Sequence, residues 1–181
     1  MRDLSLHILD LIENSIRAEA TMIAVTVAEN RAKDTMEVAI EDNGAGLSVA
    51  PEEATDPFYT TKKGKKTGLG LALCRAAAER AAGRLFIGKS PLGGVAVKAI
   101  MQLSHVDRSP LGDLAATLSS VVCTNPGIEL WCRLVVDRQE CMVRVTEVDK
   151  EFPIGERGGL AIARRLSEKI KEGITVIGLT E

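Results

Sequence analysis

The sequence predicts an α+β fold, on three observations. An amphipathic helical stretch opens the chain, segments of period-two apolar alternation come in pairs, and an Ala-rich helical stretch separates those pairs. Hydrophobic residues make up 45% of the 181 residues and aromatics only 3%, so a real core exists and is built from Ala, Leu, Ile and Val.

Taken in order, Leu4 to Ala18 reads as a helix, with Leu4, Ile8, Leu11, Ile12 and Ser15 on one face. Asp10 and Asn14 stand one turn apart on a neighbouring face, where their side chains can reach a common point. Met22 to Ala28 and Thr35 to Glu41 alternate as strands through Ile23, Val25, Val27 and then Met36, Val38, Ile40. Leu47 to Lys66 breaks the pattern with Pro51, Pro57, Gly64 and many charges, and reads as a loop. Leu69 to Ala82 is an Ala-rich helix with Gly83 as its stop, followed by a short strand from Arg84 to Gly88. Val95, Val97, Ala99, Met101 and Leu103 mark another strand.

The composition breaks at His105 to Pro110, which divides the chain into a first domain, 1–104, and a small C-terminal helix–hairpin–helix unit, 105–181. In the second unit Leu111, Leu114, Ala115, Leu118 and Val122 mark a helix, and Ile128 to Val136 with Cys141 to Val148 a hairpin. Gly159 to Glu172 follows as a helix and Ile174 to Leu179 as a short strand or tail. A unit of that size makes a marginal core by itself, so it is expected to pack on the first domain or on another copy, which leaves a homodimer open.

Several function classes fall away. A net charge of −2 gives no argument for a nucleic-acid or anionic-membrane partner. No apolar run reaches bilayer length, and the opening stretch carries charges where a signal peptide would be apolar, so a cytoplasmic protein is expected. Cys74, Cys123, Cys132 and Cys141 include no C-x2-C pair; Cys132 and Cys141 could face each other across the hairpin, with free buried thiols the simpler reading. GRLFIGKS (Gly83 to Ser90) matches the phosphate-loop pattern in form only, because Arg84 to Ile87 is strand-like and Pro91, Gly93 and Gly94 follow where a helix should start. His7, on the Asp10 side of the first helix, lines the site or is structural; Trp131 belongs to the core or an interface.

Three strings carry chemistry: DLIENS (Asp10 to Ser15), EDNGAG (Glu41 to Gly46) and DPFYTTKKGKKTGLGLAL (Asp56 to Leu73). Asn14 offers the neutral oxygen that magnesium accepts beside phosphates. Asp42 offers an acceptor for an exocyclic amine, and Gly44 and Gly46 remove side chains that would keep backbone from a base. Thr67, Gly68, Leu69 and Gly70 open a helix, whose free N–H groups make a phosphate site beside Lys62, Lys63, Lys65 and Lys66.

In this order the strings resemble the GHKL ATP-binding superfamily over about Met1 to Ser104, nearest its histidine-kinase-like and anti-sigma-type members. The resemblance implies a two-layer sandwich, the Bergerat fold, with helices on one face of a mixed sheet and ATP and Mg2+ as ligands. By the same resemblance Asn14 is the magnesium ligand, Asp42 reads adenine, and Phe58 and Lys62 belong to the segment before the lid. Asp10 stands where related enzymes carry a glutamate that activates the nucleophile, one methylene shorter. Arg17 stands where histidine kinases place a lysine near the phosphates. The expected function is a stand-alone ATPase or protein kinase, without its own phosphoacceptor or sensor domain, that passes the γ-phosphoryl group to water or a partner protein. The alternative is an ATP-gated binding module, anti-sigma-like, with little turnover.

Overall fold

In a computed structural model, residues 3–47, 69–153 and 158–180 are described. Helix α1 (Leu4–Arg17) leads to the antiparallel pair β1 (Met22–Asn30) and β2 (Thr35–Asp42). Then come α2 (Leu69–Arg80), β3 (Arg84–Lys89), β4 (Val95–Gln102), α3 (Leu114–Thr124), β5 (Glu129–Val136), β6 (Gln139–Arg144), the short α4 (Val145–Asp149) and α5 (Gly159–Ile177). Among the described residues the strands form one six-stranded sheet in the order β3-β4-β2-β1-β5-β6. All neighbours are antiparallel except β1 and β5, which run parallel, so the sheet is mixed.

Alternation decides the layering. Ile23, Val25 and Val27 of β1, Leu130, Cys132 and Leu134 of β5, and Met36 of β2 are all 0% exposed. Their neighbours along each strand face the other side. The apolar stripes of α1 (Ile8, Leu11, Ile12), α3 (Leu114, Leu118, Val121) and α5 (Leu166, Ile170) belong to the same buried cluster. This is the two-layer α+β sandwich expected from the sequence. The hairpin β5–β6 extends the first sheet from the β1 side, and residues from both parts of the chain share one core.

Helix α1 is fixed at its start by that C-terminal part. Its first free donors, the N–H groups of Leu4 and Ser5, bond the carbonyls of Pro110 (2.9 Å) and Leu111 (2.8 Å), while Asp3 caps the N–H of Leu6 (3.1 Å). At the other end of the molecule Glu29, fully buried, accepts from the Thr180 N–H at 2.7 Å and its hydroxyl at 3.2 Å, with Arg31 3.8 Å away. A buried carboxylate thus holds the segment after α5 against the β1–β2 turn.

Three local expectations need correction, and the reading of the cysteines as free thiols holds. Helix α5 runs on to Ile177, where a short strand or tail was expected from Ile174. Ile170, Ile174 and Ile177 continue its apolar stripe and are buried, and Gly178, at φ 67°, supplies the left-handed stop. Gly173 instead marks close packing, since a Cβ there would lie 2.7 Å from Cys141 Sγ. The second hairpin strand stops at Arg144, because Glu129 accepts from the Thr146 N–H (3.1 Å) and its hydroxyl and starts α4. After α2 it is Ala82, not Gly83, that takes the left-handed conformation (φ 53°); Gly83 is needed because a Cβ would meet the Ile100 carbonyl at 1.9 Å. Cys141 pairs with Leu134 rather than with Cys132, and both cysteines are free; burial pushes the Cys132 thiol up to about 12. The GRLFIGKS string is strand β3 with no helix after it. Trp131 is half-buried on the sheet face away from the helices, its ring under Arg144 (4.8 Å to the centroid) and its N–H on Glu129 (2.9 Å). Among the described residues no helix is long and apolar enough to cross a membrane.

If both parts of the chain share one core, truncation of a β5 residue must weaken the whole. Leu130→Ala is expected to cost about 2–5 kcal/mol and to shift a single cooperative urea transition. Two separated transitions, only one of them moved, would show that 105–181 unfolds independently.

Candidate functional site

The site forms where the C-terminal half of α1 crosses the ends of β2 and β4. Asp42, the last residue of β2, is 4% exposed. Its Oδ2 accepts from the Ser15 hydroxyl at 2.6 Å, and its Oδ1 accepts from the N–H groups of Gly44 (2.9 Å) and Val95 (3.0 Å). Its main-chain carbonyl takes the Gly94 N–H at 2.9 Å. A carboxylate has about four acceptor positions; the three donors leave one, on Oδ2, beside backbone that carries few side chains.

Glycines make that approach possible. A Cβ on Gly94 would lie 2.1 Å from Asp42 Oδ1, and one on Gly44 would lie 2.7 Å from the Ala18 carbonyl oxygen. Gly46 has φ +83° and open space around its Cα, so its role is conformational. Asn43 fastens the turn: its Oδ1 accepts from the N–H groups of Thr21 and Met22, both at 2.9 Å, and its Nδ2 donates to the Thr21 hydroxyl.

Asn14 precedes Ser15 and is therefore brought to the same end of α1, half-exposed. Its Oδ1 accepts from Arg17 Nη2, while Arg17 Nη1 lies 3.5 Å from Glu13. One turn earlier, Asp10 packs against the first turn of α2: a Cβ on Gly70 would lie 3.1 Å from Asp10 Oδ2. Asp10 has no hydrogen-bond partner among the described residues. Cys74 sits behind it, its thiol pushed up to about 11 by burial and then by the Asp10 charge, so it is an inert packing group. His7 is 3% exposed with both ring nitrogens unpaired; burial lowers its pKa from the ordinary histidine value, against a smaller pull upward from Asp10.

Thus Asp10, Asn14, Arg17, Asp42, Gly44, Gly46 and Gly70 gather around α1 and the loop after β2. Leu69 is the first residue of α2. Phe58, Lys62, Thr67 and Gly68, with most of the Leu47 to Lys66 stretch, lie outside the described residues. Sequence reasoning missed Ser15, Asn43 and Gly94. A serine in the apolar stripe of α1 was the signal for the first; the Gly93-Gly94 pair before a strand was the signal for the third.

The residues fit a nucleotide whose base bears an exocyclic amine, which the open acceptor position of the buried acid can receive. Among the described residues no group of three or more acidic, His or Cys side chains could cage a metal. Asn14's half-exposed amide oxygen is a neutral ligand of the kind magnesium accepts beside phosphates and water.

The mixed-sheet α+β sandwich thus sets a buried acid and closely packed glycines beside an asparagine-bearing helix. Residues 2–105 match the family of histidine kinase-, DNA gyrase B- and HSP90-like ATPases, more than half of the chain, and the chain belongs to that family. A putative sensor protein of Shewanella frigidimarina is 31% identical over 104 residues, covering 55% of this chain and 16% of the relative. The sensor histidine kinase TmoS of Ectopseudomonas mendocina is 32% identical over 97 residues, covering 48% of this chain and 10% of the relative. The chain therefore corresponds to a small part of these curated relatives. Among solved structures, the N-terminal domain of a DNA repair protein superposes with a TM-score of 0.53 at 12% identity, over 79% of this chain and 52% of that one, a likeness of fold.

Ser15→Ala removes the only side-chain donor to Asp42 Oδ2 among the described residues, and is expected to cost about 1–3 kcal/mol in a urea titration. A loss below a few tenths would mean that water replaces the hydroxyl. The buried imidazole gives a pH signature. Its folded pKa is depressed, so the unfolded chain binds the proton more readily and stability falls as pH drops below about 6.5. Urea midpoints from pH 8 to 5 should fall for the native chain and flatten for His7→Leu; parallel curves would show that His7 is not the source.

Proposed function

We propose that this chain is a Mg-ATP-dependent, histidine-kinase-like ATPase or protein kinase that transfers the γ-phosphoryl group to water or to a partner protein. The observation that carries the reading is the buried Asp42 with its one open acceptor position, set beside Asn14 by the Ser15 bond. In this reading Asp42 accepts the adenine amine, with Gly44 and Gly46 letting backbone lie along the base. Asn14 lends its amide oxygen to magnesium, Arg17 adds charge at the phosphates, and Asp10 orients the attacking oxygen. Leu69 and Gly70 stand in the first turn of α2, the helix end that receives phosphate in this reading; Thr67, Gly68, Lys62 and Phe58, which the resemblance assigns to nucleotide binding, lie outside the described residues. Such catalysis is mostly positioning and charge stabilisation.

Transfer to another molecule is supported by the chain's own histidines. His7 is buried inside the helix layer, and His105 is half-buried in a turn where its Nδ1 accepts from the Asp107 N–H at 3.1 Å. Neither is presented as a phosphoacceptor. The partner would be a phosphoacceptor or regulated protein rather than nucleic acid or a membrane. A second reading, an ATP-gated binding module with little turnover, is favoured by the short Asp10, which packs on Gly70 without a hydrogen-bond partner among the described residues.

Incubation with γ-labelled Mg-ATP tests both. Native protein should release phosphate or label itself or an added partner, with Asn14→Ala at least about tenfold slower and Asp10→Asn binding ATP normally but turning over poorly. Binding without turnover would favour the gated module, and no binding by calorimetry would sink the nucleotide reading.

A further inference from the structure

The amide oxygen that suits magnesium is already engaged by a cation. Arg17 Nη2 donates to Asn14 Oδ1, and Arg17 Nη1 lies 3.5 Å from Glu13, whose carboxylate is half-exposed. The two acceptors are neighbours in sequence and both lie within one turn of Arg17 on α1. The guanidinium therefore spans both acceptors at once, Nη2 on the amide oxygen and Nη1 against Glu13. A divalent ion and a guanidinium repel when they share one amide oxygen. Arg17 and magnesium are thus alternative occupants of the same position, and Glu13 is the anion that keeps Arg17 close when it is displaced.

We infer that Arg17 is a built-in stand-in for magnesium at Asn14, which lets the site hold a nucleoside diphosphate without metal. This rests on the nucleotide reading and deepens it. With metal absent, the guanidinium bridges Asn14 and the diphosphate, since it donates several N–H groups in a fixed fork that suits amide and phosphate oxygens together. With magnesium present, the ion takes Asn14 and Arg17 moves toward Glu13 or the terminal phosphate. The consequence is a site whose affinity for the product depends little on magnesium. An arginine acting simply as a phosphate contact has a different signature, because its removal weakens binding equally with and without metal.

Two measurements test it. The first needs no nucleotide: the side-chain amide resonances of Asn14 in the free protein should move in Arg17→Ala. If they stay in place, the contact does not exist in solution and the inference fails, whatever the nucleotide site does. The second is calorimetric titration with ADP in excess magnesium and in EDTA. The native protein should show a ratio of the two dissociation constants within about threefold, and Arg17→Ala a ratio at least about tenfold larger, with the loss concentrated in EDTA. Asn14→Ala should bring the ratio near one in both backgrounds, and Glu13→Gln should weaken the magnesium-bound state more than the EDTA state. Equal weakening of Arg17→Ala in both conditions would overturn the stand-in role while leaving the nucleotide reading intact. Failure of native protein to bind ADP in either condition overturns both.

Discussion

Asp42 is a carboxylate at the end of a strand with almost no access to water, and the surrounding structure is arranged around that constraint. A buried carboxyl group short of donors is expensive, and Asp42 meets the need by drawing on separate elements. Ser15 comes from α1, the Gly44 N–H from the turn after β2, and the Val95 N–H from the start of β4. Each bond therefore also fixes a relation between elements: the height of α1 over the sheet, the path of the turn, and the register of β4 against β2. The glycines follow from the same crowding. Gly94 and Gly44 stand where any side chain would strike the acid or the end of α1. The same few atoms thus satisfy the acid and fix α1, the turn and β4 relative to one another.

The C-terminal part of the chain acts on this pocket through α1. One end of α1 is tied to Asp42 through Ser15, and the other is tied to the carbonyls of Pro110 and Leu111. Helix α3 follows that linker and packs on both α1 and α5, while β5 closes the open edge of β1. An edge strand with free N–H and C=O groups invites association with other chains, and the parallel pairing of β5 removes that liability at β1. The Glu29 grip on Thr180 completes the enclosure at the far end of the same strand. The helix that carries Asp10 and Asn14 is thus held by residues far outside the three motif strings.

Fold and site were legible to different depths for physical reasons. The alternation of Ile23, Val25 and Val27 and the stripe of α1 named their elements directly, because one buried face imposes one period. The extent of α5 was not legible: Ile174, Thr175, Val176 and Ile177 are β-branched and favour a strand locally, and only packing against the core makes them helical. The place of the hairpin was also hidden, since pairing between β5 and β1 joins residues about a hundred positions apart and leaves no local trace. In the site, the acid and the glycines of EDNGAG stood out by type. Ser15 did not, because a hydroxyl in an apolar stripe shows its value only when its partner across the molecule is known.

The contact between Asp10 and Gly70 links the first motif to the third. Helix α2 begins at Leu69, directly after Thr67-Gly68 in the sequence. There the Gly70 backbone lies against the Asp10 carboxylate, so that an added Cβ would sit 3.1 Å from Oδ2, a tight contact. A glutamate in place of Asp10 would need room for a further methylene, and this packing leaves little in the direction of α2. The shorter acid is therefore matched to a closer approach of the two helices. The room left to the Asp10 carboxylate is therefore limited by where α2 starts, and Gly70 is the residue of the third string that meets it.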